Sequence, residues 1–174
     1  MAALTVPVSD RDHVQGSLKA PIVLVEYGDY QCPHCAAAYP IVKRIQKDFG
    51  DRLAFVFRNF PLTEIHPNAE RAAEAAEYAA GHDRYWEMHD GIFENQPELD
   101  LDLLSKLAAS LGMDAAGLET ALAEGKFSHR VRADFVGGVR SGVNGTPTFF
   151  INGKRHDGPF EFRDLAEALN GLTQ

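Results

Sequence analysis

Two short and almost wholly apolar runs, Ile22 to Tyr27 (IVLVEY) and Leu53 to Phe57 (LAFVF), flank a stretch in which Tyr39, Val42, Ile45 and Phe49 recur at spacings of three and four. A continuous apolar run rich in β-branched residues and bounded by breakers such as Pro21 and Gly28 reads as a strand covered on both faces. The intervening spacing is that of an amphipathic helix, and Gly50 supplies its stop. A helix between two such strands imposes a crossover, and the crossover makes the strands parallel. This unit predicts an α/β architecture. Pro40 falls inside the helix, where its missing donor predicts a kink or local strain.

The remainder changes character. From about His66 to Gly142 the pattern is helical almost throughout, broken at Gly81, at Asn95 to Pro97, at Gly112 and at Gly125. TPTFFI then reads as a strand, Asn152-Gly153 as a two-residue hairpin turn, and the residues near Arg155 to Asp157 as a short antiparallel return. A helix from Phe160 to Leu172 closes the chain. The 174 residues suffice for one compact unit. A net charge of -8 leaves no basic patch to neutralise phosphates, so nucleic acid is excluded as a partner. No apolar run approaches the roughly 20 residues needed to cross a bilayer. The opening MAALTVPVSDRDH lacks the pattern of a secretory signal, so a cytoplasmic protein is expected; an extracytoplasmic location is the alternative if a signal has been removed.

The chemistry lies in VEYGDYQCPHCAAAYP, which holds both cysteines of the chain, Cys32 and Cys35. Pro33 suits the first position of the helix, which places Cys32 at the N-cap. There the free N–H groups and the helix dipole favour a thiolate. Cys35 lies one turn further on, within reach of a disulfide, and the His34 ring can donate to the Cys32 thiolate or stand beside it as a cation. Cys32 is the attacking sulfur in this reading and Cys35 the resolving one. Half of a zinc site is the first alternative, but there is no second CxxC. A structural bridge is the other, and so short a loop removes little chain entropy. Glu26 shares a strand face with Ile22 and Leu24, under the helix, where desolvation would raise its pKa and let it exchange protons with Cys35. Thr146-Pro147 leads the late strand, a place where proline is tolerated. Tyr30, Phe149 and Phe150 read more simply as core than as a groove, and Trp86 as a packed helix face.

VEYGDYQCPHC, followed by helix, strand, a long helical segment and GVNGTPTFFING, resembles the DsbA-like thiol-disulfide oxidoreductases of the thioredoxin superfamily from about Asp12 to Leu172. The resemblance implies a thioredoxin fold in which residues 12–61 and 127–174 enclose an all-helical insertion, 62–126, between the βαβ and ββα halves, with 1–11 as an N-terminal extension. It implies an exposed nucleophile at Cys32, a buried partner at Cys35, and a cis Thr146-Pro147 bond whose backbone pairs with the substrate chain. Glu26 matches the family's buried carboxylate, and Pro33-His34 the dipeptide of its strongly oxidising members. The expected activity is disulfide donation to thiols of substrate proteins, with a redox partner to recycle the pair and no metal or organic cofactor. The alternatives are a cytoplasmic reductase or relay on the same scaffold, or a glutathione-dependent transferase or isomerase. Only about 21 residues precede the first strand, too few for the dimerisation domain of the related isomerases, and a monomer is expected.

Overall fold

The computed structural model describes residues 2–172. Residues 1, 173 and 174, the outer ends of the expected 1–11 and 127–174 segments, lie outside the described residues. The expected crossover is present: β2 (Ile22–Gly28) and β3 (Leu53–Asn59) pair in parallel, Leu24 opposite Phe55 and Glu26 opposite Phe57, with α1 (Pro33–Phe49) between them in the chain. β4 (Thr148–Ile151) adds antiparallel to β2, and β5 (Lys154–Arg155) antiparallel to β4. β5 starts one residue earlier than the sequence suggested, because the turn at Asn152 and Gly153, both at positive φ, leads directly into Lys154. The sequence reading did not anticipate β1 (His13–Gln15), which pairs antiparallel with β3 and completes the order β1-β3-β2-β4-β5. Three half-buried residues at an edge carry too little periodicity to register as a strand.

The face of α1 formed by Cys35, Ala38, Val42, Ile45 and Phe49 packs with Ile22, Leu24, Phe55 and Phe57 in the main core. α1 continues across Pro40, which withholds one N–H from the ladder. Tyr39 belongs to the rim of the helix rather than to its buried stripe, with its hydroxyl donating to Glu94 at 2.9 Å.

Between β3 and β4 lie α2 (Ala69–Ala80), α3 (Tyr85–Glu94), α4 (Leu101–Ser110), α5 (Ala115–Ala123) and α6 (Ser128–Arg140). Alanine-rich α2 is buried nearly all round, which suits a helix at the centre of its neighbours. Gly112 and Gly125 take φ of 80° and 63° where α4 and α5 end, a region other residues enter at a cost. Asp100 and Asp114 cap α4 and α5, each accepting a hydrogen bond from a first-turn N–H. α6 returns to the opposite face of the sheet, where Phe135 stacks on Phe60 at 4.4 Å and Val25, Tyr27, Val56 and Phe150 form a second core. The N-terminal segment is tied to the sheet by Arg58, which donates to Asp12, to the Val6 and Pro7 carbonyls and to the Tyr27 hydroxyl. α7 (Phe162–Asn170) is shorter than the expected 160–172, since Glu161 is held extended at its start and Gly171 follows its end.

Candidate active site

Cys32 is the N-cap of α1 and Pro33 stands at its first position, so the local geometry anticipated from the CPHC motif is present. Both cysteines are free thiols. The expectation of an exposed Cys32 needs correction: the residue is 4 % exposed, against 0 % for Cys35, because the loop before β4 lies over it. That loop contains the cis Thr146-Pro147 bond. The Cys32 thiol donates to the Thr146 carbonyl at 3.6 Å, and the Thr146 hydroxyl is buried with no partner among the described residues.

The two sulfurs are driven apart. A hydrogen bond from the Cys35 thiol is the leading cause that brings Cys32 down to about 5; burial opposes it, and the Thr146 side chain and the N–H groups of Cys35 and His34 add to it. Cys35 is pushed well up, first by burial, with its bond to Cys32 and the charge of Glu26 acting in the same direction. His34 therefore acts on the thiolate through its backbone N–H, while its side chain is exposed like that of Pro33. The first turn of a helix aims its free N–H groups at the cap residue, whereas a side chain at the second position turns outward.

Glu26 is 3 % exposed on the β2 face beneath α1, as its strand period required. Burial above all, and then the charge of Cys32, push its carboxyl up to about 8, and Oε2 is buried with no partner among the described residues. Gly28 closes in on the same group: a Cβ there would lie 2.5 Å from the Phe57 ring and 2.8 Å from Glu26 Oε2.

Asp29 was not singled out in the sequence, and it organises the loop. Its Oδ1 accepts from the N–H groups of Gln31 and Cys32 at 2.7 and 3.1 Å, and its Oδ2 from the N–H of Leu62 and the ring of His66, both at 2.8 Å. Its own N–H donates to Cys35 Sγ at 3.4 Å. The signal was available: an aspartate three residues before a helix cap is positioned to bind its own downstream N–H groups. The helical segment holds the loop too. Gln96 donates to the carbonyls of Tyr30 and Cys32 at 2.8 and 2.9 Å, and Gln31 Oε1 accepts from Asn68 N–H at 2.7 Å. Tyr30, Phe149 and Phe150 are core residues, each no more than 2 % exposed. Among the described residues no group of three or more His, Cys, Asp or Glu side chains is placed to hold a metal ion.

A family model described as thioredoxin matches residues 8–171. The oxidised form of BdbD from Bacillus subtilis is similar in structure, with a TM-score of 0.88 and 28 % identity over 99 % of both chains. MdbA from Actinomyces oris, described as a thiol-disulfide oxidoreductase, shares the fold at a TM-score of 0.74 and 21 % identity, with 91 % of this chain and 84 % of that one covered. Among curated relatives, a protein of Salinispora tropica named Na(+)/H(+) antiporter NhaA 3 is 42 % identical over 167 residues, a match that takes in 95 % of this chain. The chain spans only about a quarter, 26 %, of that relative. The family model, which takes in nearly the whole chain, establishes that the chain belongs to the thioredoxin family.

Proposed function

We propose that the chain is a disulfide donor to substrate protein thiols, working through Cys32 and Cys35. The supporting observation is the opposed pair of sulfurs, one brought down to about 5 at a helix start and one pushed well up beside a buried carboxyl. In the oxidised enzyme a substrate thiolate attacks Cys32 Sγ; the new S–S bond forms as the Cys32–Cys35 bond breaks, and Cys35 leaves with the electron pair. Glu26 hands its proton to Cys35, whose burial favours the neutral thiol. A second substrate thiolate then attacks the substrate sulfur of the mixed disulfide and expels Cys32 as a thiolate held by the helix start. The substrate leaves with a disulfide, and two electrons remain on the dithiol. Thr146 and Pro147, over Cys32, position the incoming chain through the Thr146 backbone. Pro33 starts the helix, and His34 supplies one of its N–H groups.

A separate redox partner must reoxidise the pair, and no metal or organic cofactor takes part. The chain acts as a monomer. A strong donor belongs in an oxidising compartment, while the cytoplasmic expectation fits the reductase alternative. The antiporter name belongs to relatives about three quarters of whose length lies outside the match. No helix among the described residues is long and apolar enough to cross a membrane, and ion transport is not proposed for this chain. Replacing Cys35 by Ala should accumulate mixed disulfides with substrate proteins, and Cys32→Ser should abolish both turnover and trapping. Trapping by Cys32→Ser, or none by Cys35→Ala, would reverse or remove these roles.

A further inference from the structure

The helical insertion carries none of the reacting atoms, yet it grips the loop that carries Cys32 at three points. Gln96 opens a short turn of helix, Gln96–Glu98, between α3 and α4. Its Nε2, which has two hydrogens to give, donates to the Tyr30 carbonyl at 2.8 Å and to the Cys32 carbonyl at 2.9 Å. The third point is Gln31, whose Oε1 accepts from the Asn68 N–H at 2.7 Å. Asn68 stands at the N-cap of α2, where its side chain would ordinarily bond its own first turn. It makes no such bond and instead donates to the Leu99 carbonyl at 3.1 Å. The Leu99 N–H in turn donates to the Gln96 carbonyl at 3.0 Å. The loop at 30–32, Asn68, Leu99 and Gln96 are thus joined in a closed ring of hydrogen bonds.

What the ring fixes is the backbone on either side of Gln31. The groups that stabilise the Cys32 sulfur belong largely to α1: the Cys35 thiol and the N–H groups of His34 and Cys35. Those donors move with the helix, whereas the place of the sulfur before them follows from the torsions of Cys32, held extended at φ -70° and ψ 124°. The Cys32 carbonyl is tied to α1 by the Ala36 N–H at 3.1 Å, and Pro33, next in the chain, has no N–H to add. Gln96 is the second anchor. Asp29 does not duplicate it, because its carboxylate holds the N–H groups of Gln31 and Cys32 while Gln96 holds carbonyls.

We propose that Gln96 is a positioning residue for disulfide exchange: by bonding the Tyr30 and Cys32 carbonyls it holds the Cys32 sulfur before the first turn of α1, and through it the helical insertion sets the reactivity of the pair. The proposal rests on the reading of Cys32 as the sulfur that substrate attacks and that is later released as a thiolate. Without the Gln96 amide the peptide at Cys32 turns more freely, and the sulfur spends less time against its donors. The dithiol then loses stabilisation that the disulfide, whose sulfur is held by its covalent bond, does not lose.

The test compares Gln96→Met, similar in length and without donors, with Leu118→Ala, a fully buried site in α5 and outside the ring. In each full-length variant Cys32 ionisation is followed by ultraviolet absorbance, and the Cys32–Cys35 equilibrium is read in glutathione buffers. Gln96→Met should raise the Cys32 midpoint by about one pH unit and move the equilibrium about tenfold toward the disulfide, about 30 mV. Leu118→Ala should lower stability in urea and leave both readings at their wild-type values. A wild-type midpoint and equilibrium in Gln96→Met overturn the proposal. Equal shifts in the two variants also overturn it, since the readings would then follow the stability of the insertion alone. If Gln96→Met does not fold, the wild-type protein decides: the side-chain amide protons of Gln96, followed by NMR, should shift with the Cys32 titration, and a flat response overturns the role. The parent reading fails differently, by the absence of any reversible two-thiol transition in the wild type, and takes this proposal with it.

Discussion

Replacing Glu26 by Gln should stabilise the reduced protein in a way that depends on pH. The folded carboxyl is raised from 4.5 to about 8, so the folded state holds its proton over a range in which the unfolded chain has released it. Below pH 4.5 the group is protonated in both states and Glu26 costs nothing electrostatic. Above it the unfolded state gains about 1.4 kcal/mol for each pH unit until the folded carboxyl also ionises near pH 8. The penalty is thus about 3 kcal/mol at pH 7 and about 5 kcal/mol from pH 8 upward. Glutamine removes it at the cost of a buried amide in place of the carboxyl, an offset of about 1 to 3 kcal/mol that does not vary with pH. The signature is therefore the slope. Urea unfolding of both proteins at intervals of one pH unit from 4 to 9 should show the difference turning toward the variant above about pH 4.5 and levelling near pH 8. Because the Cys32 thiolate contributes to the shift, the slope should end at a lower pH in the oxidised protein. A difference independent of pH would refute the placement of Glu26 as a buried, protonated acid.

The Cys32 thiolate, followed by its ultraviolet absorbance, should titrate near 5, so that roughly 99 % is ionised at pH 7, and Thr146→Val should move the midpoint upward; a midpoint near the ordinary 9.0 would remove the asymmetry of the pair. The stabilisation carried by that depressed thiolate is complete above the unfolded value and should be lost as pH falls through about 5. Gly28→Ala should lower stability by about 1 to 3 kcal/mol, because its Cβ would meet the Phe57 ring and Glu26 Oε2; an unchanged denaturation midpoint would show that the ring yields freely. Asp29→Ala unpairs the N–H groups of Gln31 and Leu62, while the Cys32 N–H keeps the carbonyl of residue 29, and should cost about 2 to 3 kcal/mol in urea unfolding; an unchanged denaturation midpoint would show that these groups find other partners.

The parts of this molecule that were legible in sequence are those where one local rule decides. The apolar runs at Ile22 and Leu53 with a 3.6-period stretch between them admit a parallel crossover and little else, and Pro33 after a cysteine names a helix start. The period of two in IVLVEY placed Glu26 under α1, where it lies. What was not legible depends on residues brought together from a distance. β1 is three residues held by pairing with β3, and His13 is fixed there by Glu77 from α2 at 2.9 Å. The Thr146 backbone over Cys32 was expected from the family resemblance alone, while the clasp of Gln96 on the Cys32 carbonyl was foretold by no pattern within the CPHC motif. Arg58 and Asn59 extend β3 beyond its apolar run because Asp12, Glu77 and Asp134 satisfy them inside the protein.

The most direct test of the account is the reduction potential of the Cys32–Cys35 pair, measured by equilibration in glutathione buffers with free thiols trapped and counted by mass. A thiolate two units below pH 7 stabilises the dithiol by at most about 60 mV, before the screening that solvent imposes on the sulfur. Added to a thioredoxin-like pair near about -270 mV, this alone carries the value up to about -210 mV, so the account predicts a potential of about -210 mV or less negative, on the disulfide-donor side of thioredoxin. A value near about -230 to -270 mV would make the pair a reductant or relay and contradict the direction of electron flow proposed for this protein.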